Sequence, residues 1–163
     1  TAGTDETAVD LVRRFWEGCG ADTDVMTPEN HDMVLAITSH VPHLIAYNIV
    51  GTAAHLEEVT ESEVMKFSAG GFRDFTRIAA SDPTMWRDVF LHNREAVLEM
   101  LARFSEDLTA LQKAIRWCDG DALFELFTKT RAIRRGIIEY GQETDAPDFG
   151  RTPSAGKSAK PGE

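Results

Sequence analysis

Cysteine is nearly missing: Cys19 and Cys118 are the two in 163 residues, and they form no C-x-x-C pair. Such usage disfavours a disulfide framework or a zinc knuckle and fits a reducing cytoplasm. Positive charge is also scarce. Seventeen Lys and Arg stand against 27 Asp and Glu, a formal net charge of −10. That balance speaks against nucleic acid and anionic membranes as partners. No apolar run approaches the ~20 residues that a membrane span needs. No G-x-G-x-x-G occurs, and no strand–glycine–helix unit could host one. The opening TAGTDETAVD lacks an initiator Met, a basic region and an apolar core. It reads as an internal start rather than a signal peptide.

What is present is a helical chain. Hydrophobic residues make up 42%, enough for a sizeable core. From Thr7 to Gly18, Val9, Val12, Phe15 and Trp16 recur at helical spacing. Ala21 to Met26 alternates weakly and predicts one short strand. This helix and strand, residues 1–26, read as the remnant of a preceding α/β domain. Thr27-Pro28 is a capped helix start, with the helix running to about Thr52. Pro42 falls inside it and predicts a kink near Ser39 to His43. Glu61 to Ser68 and Phe72 to Ala80 predict short helices on either side of Gly70-Gly71. Asp82-Pro83 starts the longest helix, to about Trp117. Its seam of Phe90, Val97, Leu101, Phe104, Leu108, Leu111 and Ile115 has heptad spacing, interrupted at Arg94. Asp119-Gly120-Asp121 turns the chain into a last helix ending near Gly141. Residues 150–163, rich in Gly, Pro, Ser and Lys, read as a disordered tail. The expectation is an all-α bundle over residues 27–149, with more apolar helical faces than one chain buries. Self-pairing follows.

Two stretches hold residues that a core does not need. In Met26 to Ala46, MTPENHDMVLAITSHVPHLIA, three histidines surround the proline. At 100° per residue His40 and His43 lie ~60° apart and His31 is on the far side from His40, so the three do not converge as a metal site. Each is read either as a capped core or surface histidine, or, for His43 beside Pro42, as a side chain aimed into a pocket. In Gly70 to Ala79, GGFRDFTRIA, Arg73 and Arg77 are one turn apart and Asp74 lies between them. One reading is a solvated face with an ordinary ion pair. The other is an anion site: Gly70 and Gly71 admit close backbone approach, and arginine offers a planar fork to a carboxylate. Trp86 is either core or pocket wall.

The pieces HD-x6-SH-x-PH and GGFRD-x2-RIA, within Phe15 to Phe149, make the chain resemble the C-terminal helical part of the prephenate/arogenate (cyclohexadienyl) dehydrogenases. The resemblance implies a helical dimerisation domain like the C-terminal domain of 6-phosphogluconate dehydrogenase, a homodimer, and a place in tyrosine biosynthesis. It implies oxidative decarboxylation of prephenate to 4-hydroxyphenylpyruvate, or of arogenate to tyrosine, with a lean toward accepting both. Tyrosine is then a candidate product inhibitor. NAD or NADP would be bound mainly by a preceding domain, which would also carry the catalytic histidine, so none of the five histidines here takes that role. This chain alone is expected to be inactive. Carried over residue by residue, Arg77 binds the substrate, His43 lines its site, Gly70 gives backbone contact, Asp74 orders the site mouth, and Trp86 is a pocket residue that a partner subunit can supply. The competing expectation is a free-standing, non-catalytic helical dimerisation module.

Overall fold

A computed structural model describes residues 3–55 and 70–139. Every regular element among them is helical, in keeping with the all-α expectation. The helix expected at Glu61 to Ser68 and the tail after Phe149 lie outside the described residues. The chain divides into two compact units, residues 1–106 and 107–163.

The first unit opens with α1, Glu6–Gly18. Asp5 caps it, its Oδ1 accepting from Thr7 N at 2.9 Å and Ala8 N at 3.1 Å. Gly20, at φ +86°, takes the chain out of the helix in a conformation that glycine adopts without strain. The strand expected at Ala21 to Met26 is not formed. Those residues pair with no ladder, and alternation without a partner strand has no backbone bonds to hold it.

Helix α2, Pro28–Leu35, begins where the sequence predicts. Thr27 Oγ1 accepts from Asn30 N at 3.2 Å, and Pro28 occupies a position whose N–H would have no helical partner. The helix then widens into a π turn, Ala36–His40, and continues as α3, Val41–His55. The distortion at Pro42 is therefore a π turn just before the proline, not a simple kink. Val41 N–H reaches back five residues to the Ala36 carbonyl. A turn one residue larger relieves the clash that the Pro42 ring would make with the preceding turn. The run Pro28–His55 corrects one sequence expectation. Its best 18-residue window has a mean hydropathy of 1.4, long and apolar enough by length and composition to cross a membrane. Histidine, serine and threonine interrupt the apolar residues there without adding formal charge. A core helix of a water-soluble protein meets the same two criteria, and 22% of this window is buried within the single chain.

After the undescribed stretch come α4, Gly70–Thr76, and a 3-10 turn, Arg77–Ala80. Gly70 and Gly71 form the first turn of α4 rather than a break ahead of it. Both elements pack on α3. The Tyr47 hydroxyl donates to the Ser81 carbonyl at 2.8 Å and fastens the end of the 3-10 turn to α3. Helix α5, Pro83–His92, is capped by Asp82, whose Oδ1 accepts from Met85 N at 2.8 Å. Here the single long helix expected to Trp117 is interrupted. Asn93, at φ −101° and ψ 33°, separates α5 from α6, Arg94–Arg116. The core of this unit gathers Ala36, Val41, Val97 and Met100, with Met33, Ile45, Phe90 and Ala96 against them.

The second unit holds the remainder of α6 and α7, Gly120–Glu139. The turn between them is set by Cys118, at φ 54°, with Asp119 N–H bonding the Ala114 carbonyl at 2.9 Å. This is a helix-ending left-handed turn in which cysteine takes the place usual for glycine. Asp119 then caps α7 through Ala122 N at 3.0 Å. The heptad seam is buried at Val97, half-buried at Leu101, Phe104 and Leu111, and exposed at Leu108 and Ile115. On α7, Phe124, Phe127 and Ile133 are each more than half exposed.

Candidate functional site

The π turn changes which residues share a face. His40 closes that turn and His43 follows three residues later, ~60° round the helix, and both meet Trp86 of α5. The His43 ring stacks on the indole, centroids 3.6 Å apart and planes at 24°. His40 meets the same indole edge-on, 6.2 Å away at 77°. Phe90, one turn further along α5, closes the group at 5.6 Å from Trp86.

The hydrogen bonds fix how these rings present their nitrogens. His43 Nδ1 lies 2.9 Å from the Ser39 carbonyl. A carbonyl only accepts, so Nδ1 carries the hydrogen and the neutral ring offers Nε2 as an acceptor. His40 has the opposite arrangement. Asn93 Nδ2 donates to the Asp32 carbonyl at 2.8 Å and lies 3.1 Å from His40 Nδ1. The Asp32 bond identifies that atom as the amide nitrogen, so His40 Nδ1 accepts and its Nε2 carries the hydrogen. Trp86 is 7% exposed, and its Nε1–H is buried with no partner among the described residues. An unmade buried bond of this kind costs ~1–3 kcal/mol and calls for a reason. His31 stands apart on the exposed side of α2, with Nδ1 3.0 Å from Asp32 Oδ1.

The second expected group sits on α4 and the 3-10 turn. Asp74 pairs with Arg73, Nε to Oδ1 3.8 Å, and both side chains are exposed. Arg77 opens the 3-10 turn and is exposed. Gly70 lies over Asp74: a Cβ there would stand 3.9 Å from Oδ2, an ordinary contact. The structure thus brings His43 and Trp86 into direct contact, and Gly70 and Asp74 close together. Arg77 is carried by the element that packs on the His43 helix. A separate cleft of about 800 Å³ opens beside Asp32, Met33, Asn93 and Arg94, and neither His43 nor Arg77 lines it. Among the described residues no group of three or more His, Cys, Asp or Glu is placed to hold a metal ion.

Two contributors escaped the sequence reading. Asn93 left one trace, the interruption of the heptad seam beside it. Tyr47 left none, since a hydroxyl that bonds a carbonyl 34 residues away has no local pattern.

Comparison with known proteins then supplies a family. The model of the prephenate dehydrogenase dimerization domain matches residues 27–129. The cyclohexadienyl dehydrogenase of Zymomonas mobilis is 42% identical over 136 residues, covering 83% of this chain and 46% of that protein. The prephenate dehydrogenase of Bacillus subtilis is 36% identical over 134 residues, 82% of this chain and 36% of that one. The crystal structure of the prephenate dehydrogenase from A. aeolicus, in complex with hydroxyphenyl propionate and NAD+, superposes with a TM-score of 0.77. It is 39% identical and covers 84% of this chain and 48% of that one. The chain spans less than half the length of these relatives.

The setting of His40 generates a pH prediction. Burial holds its pKa below the ordinary 6.5, and the neighbouring charges of His43 and His31 act the same way, while Asp32 opposes them. The unfolded chain therefore takes up the proton first, and stability is lost as pH falls below about 6.5 toward the lowered value. Thermal melts should show that decline. In His40→Gln the slope should flatten; an unchanged slope would place the titration elsewhere.

Proposed function

We propose that this chain, which belongs to the prephenate dehydrogenase family through its dimerization domain, supplies the substrate-binding and self-pairing part of an NAD- or NADP-dependent enzyme that oxidatively decarboxylates prephenate, arogenate or both. The observation that carries the reading is the stack of His43 on Trp86 at the π turn. It combines an accepting imidazole nitrogen with a buried, unpaired indole N–H in a chain of this family. Arg77 adds a planar cation for a substrate carboxylate, in a protein whose net charge of −10 would otherwise repel a dicarboxylate. Asp74 and Gly70 shape the approach to that arginine.

The chain's own residues do not fit a dinucleotide. There is no strand among those described and no G-x-G-x-x-G in the sequence, so the phosphate-cradling turn has no place to form. The role left to this domain is to bind the substrate and fix its orientation. Residues 1–26 belong, on this reading, with a nucleotide-binding domain. Four large apolar side chains of α1, Leu11, Val12, Phe15 and Trp16, are more than half exposed in this chain, as a helix of a neighbouring domain would be. Residues 27–149 are the helical domain and 150–163 its tail. The enzyme would work in the cytoplasm, away from membranes, with tyrosine as a candidate inhibitor.

Self-pairing is supported by the apolar side chains that α6 and α7 leave exposed, more than a lone chain in water would favour. Sedimentation at micromolar concentration should give a dimer, and a clean monomer would contradict it. For the site, Arg77→Ala in the enzyme carrying this domain should raise KM for prephenate or arogenate roughly 30-fold, the low end of what truncating a paired charge costs. KM for the dinucleotide should stay put. Arg77→Lys should rescue part of the loss, because an ammonium keeps the charge without the fork. Arg73→Ala should be milder. If neither arginine mattered, the exposed ion-pair reading of this helix face would stand.

A further inference from the structure

We propose that Asn93 is a positioning residue for His43 and Trp86: its carboxamide ties the α5–α6 break to the π turn and holds His40 edge-on against the indole, so that His43 stays stacked on the indole's face. The proposal deepens the substrate-site reading of that pair and rests on it.

Three elements meet at one amide group. Asn93 Nδ2 donates one hydrogen to the Asp32 carbonyl of α2 at 2.8 Å and the other to His40 Nδ1, the last residue of the π turn, at 3.1 Å. These partners are 61 and 53 residues away, so the bonds are tertiary rather than local. The Asp32 carbonyl also takes Ala36 N–H at the end of α2, which anchors the amide to backbone rather than to a mobile side chain. Both amide hydrogens are used, and this leaves His40 one tautomer and one ring orientation. His40 is 8% exposed and its ring has little room to turn. His40 in turn abuts Trp86, whose other neighbour is His43. A side chain that merely ended α5 would need no partner on the π turn. A carboxamide does two things that an aliphatic side chain cannot: it gives the Asp32 carbonyl a second donor and it orients the imidazole.

The test reads the rings directly. Aromatic ring currents shift protons that lie over an indole face upfield, so the His43 ring protons should resonate upfield of those of exposed His31 in the same NMR spectrum of this chain. In Asn93→Leu, with helical circular dichroism retained, the His43 protons should move at least halfway to the His31 positions. The His40 ring should no longer show a single Nε2–H tautomer. Asn93→Asp keeps the size but replaces the donor with an acceptor, and it should bring His40 to the Nδ1–H tautomer. Retention of the upfield His43 signals in both variants would overturn the proposal. Unfolding of both would overturn it too, since Asn93 would then hold the domain together rather than aim two rings. In the enzyme carrying this domain, Asn93→Leu should weaken hydroxyphenyl propionate about tenfold and leave NAD+ affinity unchanged. If hydroxyphenyl propionate left the His43 signals of the unaltered enzyme unmoved, the substrate-site reading would fail, while the ring-shift result on Asn93 would stand by itself.

Discussion

Pro42 has no N–H, and its ring occupies the space of the turn before it. A helix of 28 residues cannot pass through that point in α register without strain. The chain accommodates the proline with a π turn at Ala36–His40 and goes on. The two histidines that meet Trp86 stand at the end of that turn and just beyond it. The carbonyl of Ser39 becomes the acceptor for His43 Nδ1–H. His40 swings toward α5, where Trp86 and Asn93 receive it. Thr38 Oγ1, bonding back to the Val34 carbonyl at 2.7 Å, works in the same direction, since such bonds open a helix on one side.

This origin explains which features were legible in the sequence. Caps are local: Thr27-Pro28 and Asp82-Pro83 need only neighbours three residues away, and both starts were readable. The place of the distortion was readable from Pro42, but its kind was not, because a kink and a π turn both solve the same steric problem. That choice decides the phase of everything after it. The extra residue lies ahead of Val41, so His40 and His43 keep the ~60° separation of an i,i+3 pair while the helix beyond the turn is rotated relative to α2. The break at Asn93 depends on the Asp32 carbonyl and the His40 ring, which only the folded chain brings there. Ala21 to Met26 was misread as a strand because alternation marks a strand only when another strand is beside it.

The apolar surface has a similar logic. Val97 and Met100, on the turns of α6 nearest Asn93, are buried, whereas Leu108 and Ile115 are exposed. A seam whose heptad spacing runs on from Val97 to Ile115 while its burial does not is what a helix shows when part of its partner is a second copy. The same holds for the long apolar run Pro28–His55, whose hydropathy suits a helix covered on several sides. Family membership and exposed surface point the same way.

The central claim is that the proline-driven π turn aims His43 at Trp86. A crystal structure of Pro42→Ala tests it most directly. The account predicts that the turn closes to α register, with Val41 N–H moving from the Ala36 carbonyl to that of Ile37, and that His43 leaves the indole face. A structure in which the wide turn persists and His43 remains stacked on Trp86 would contradict it.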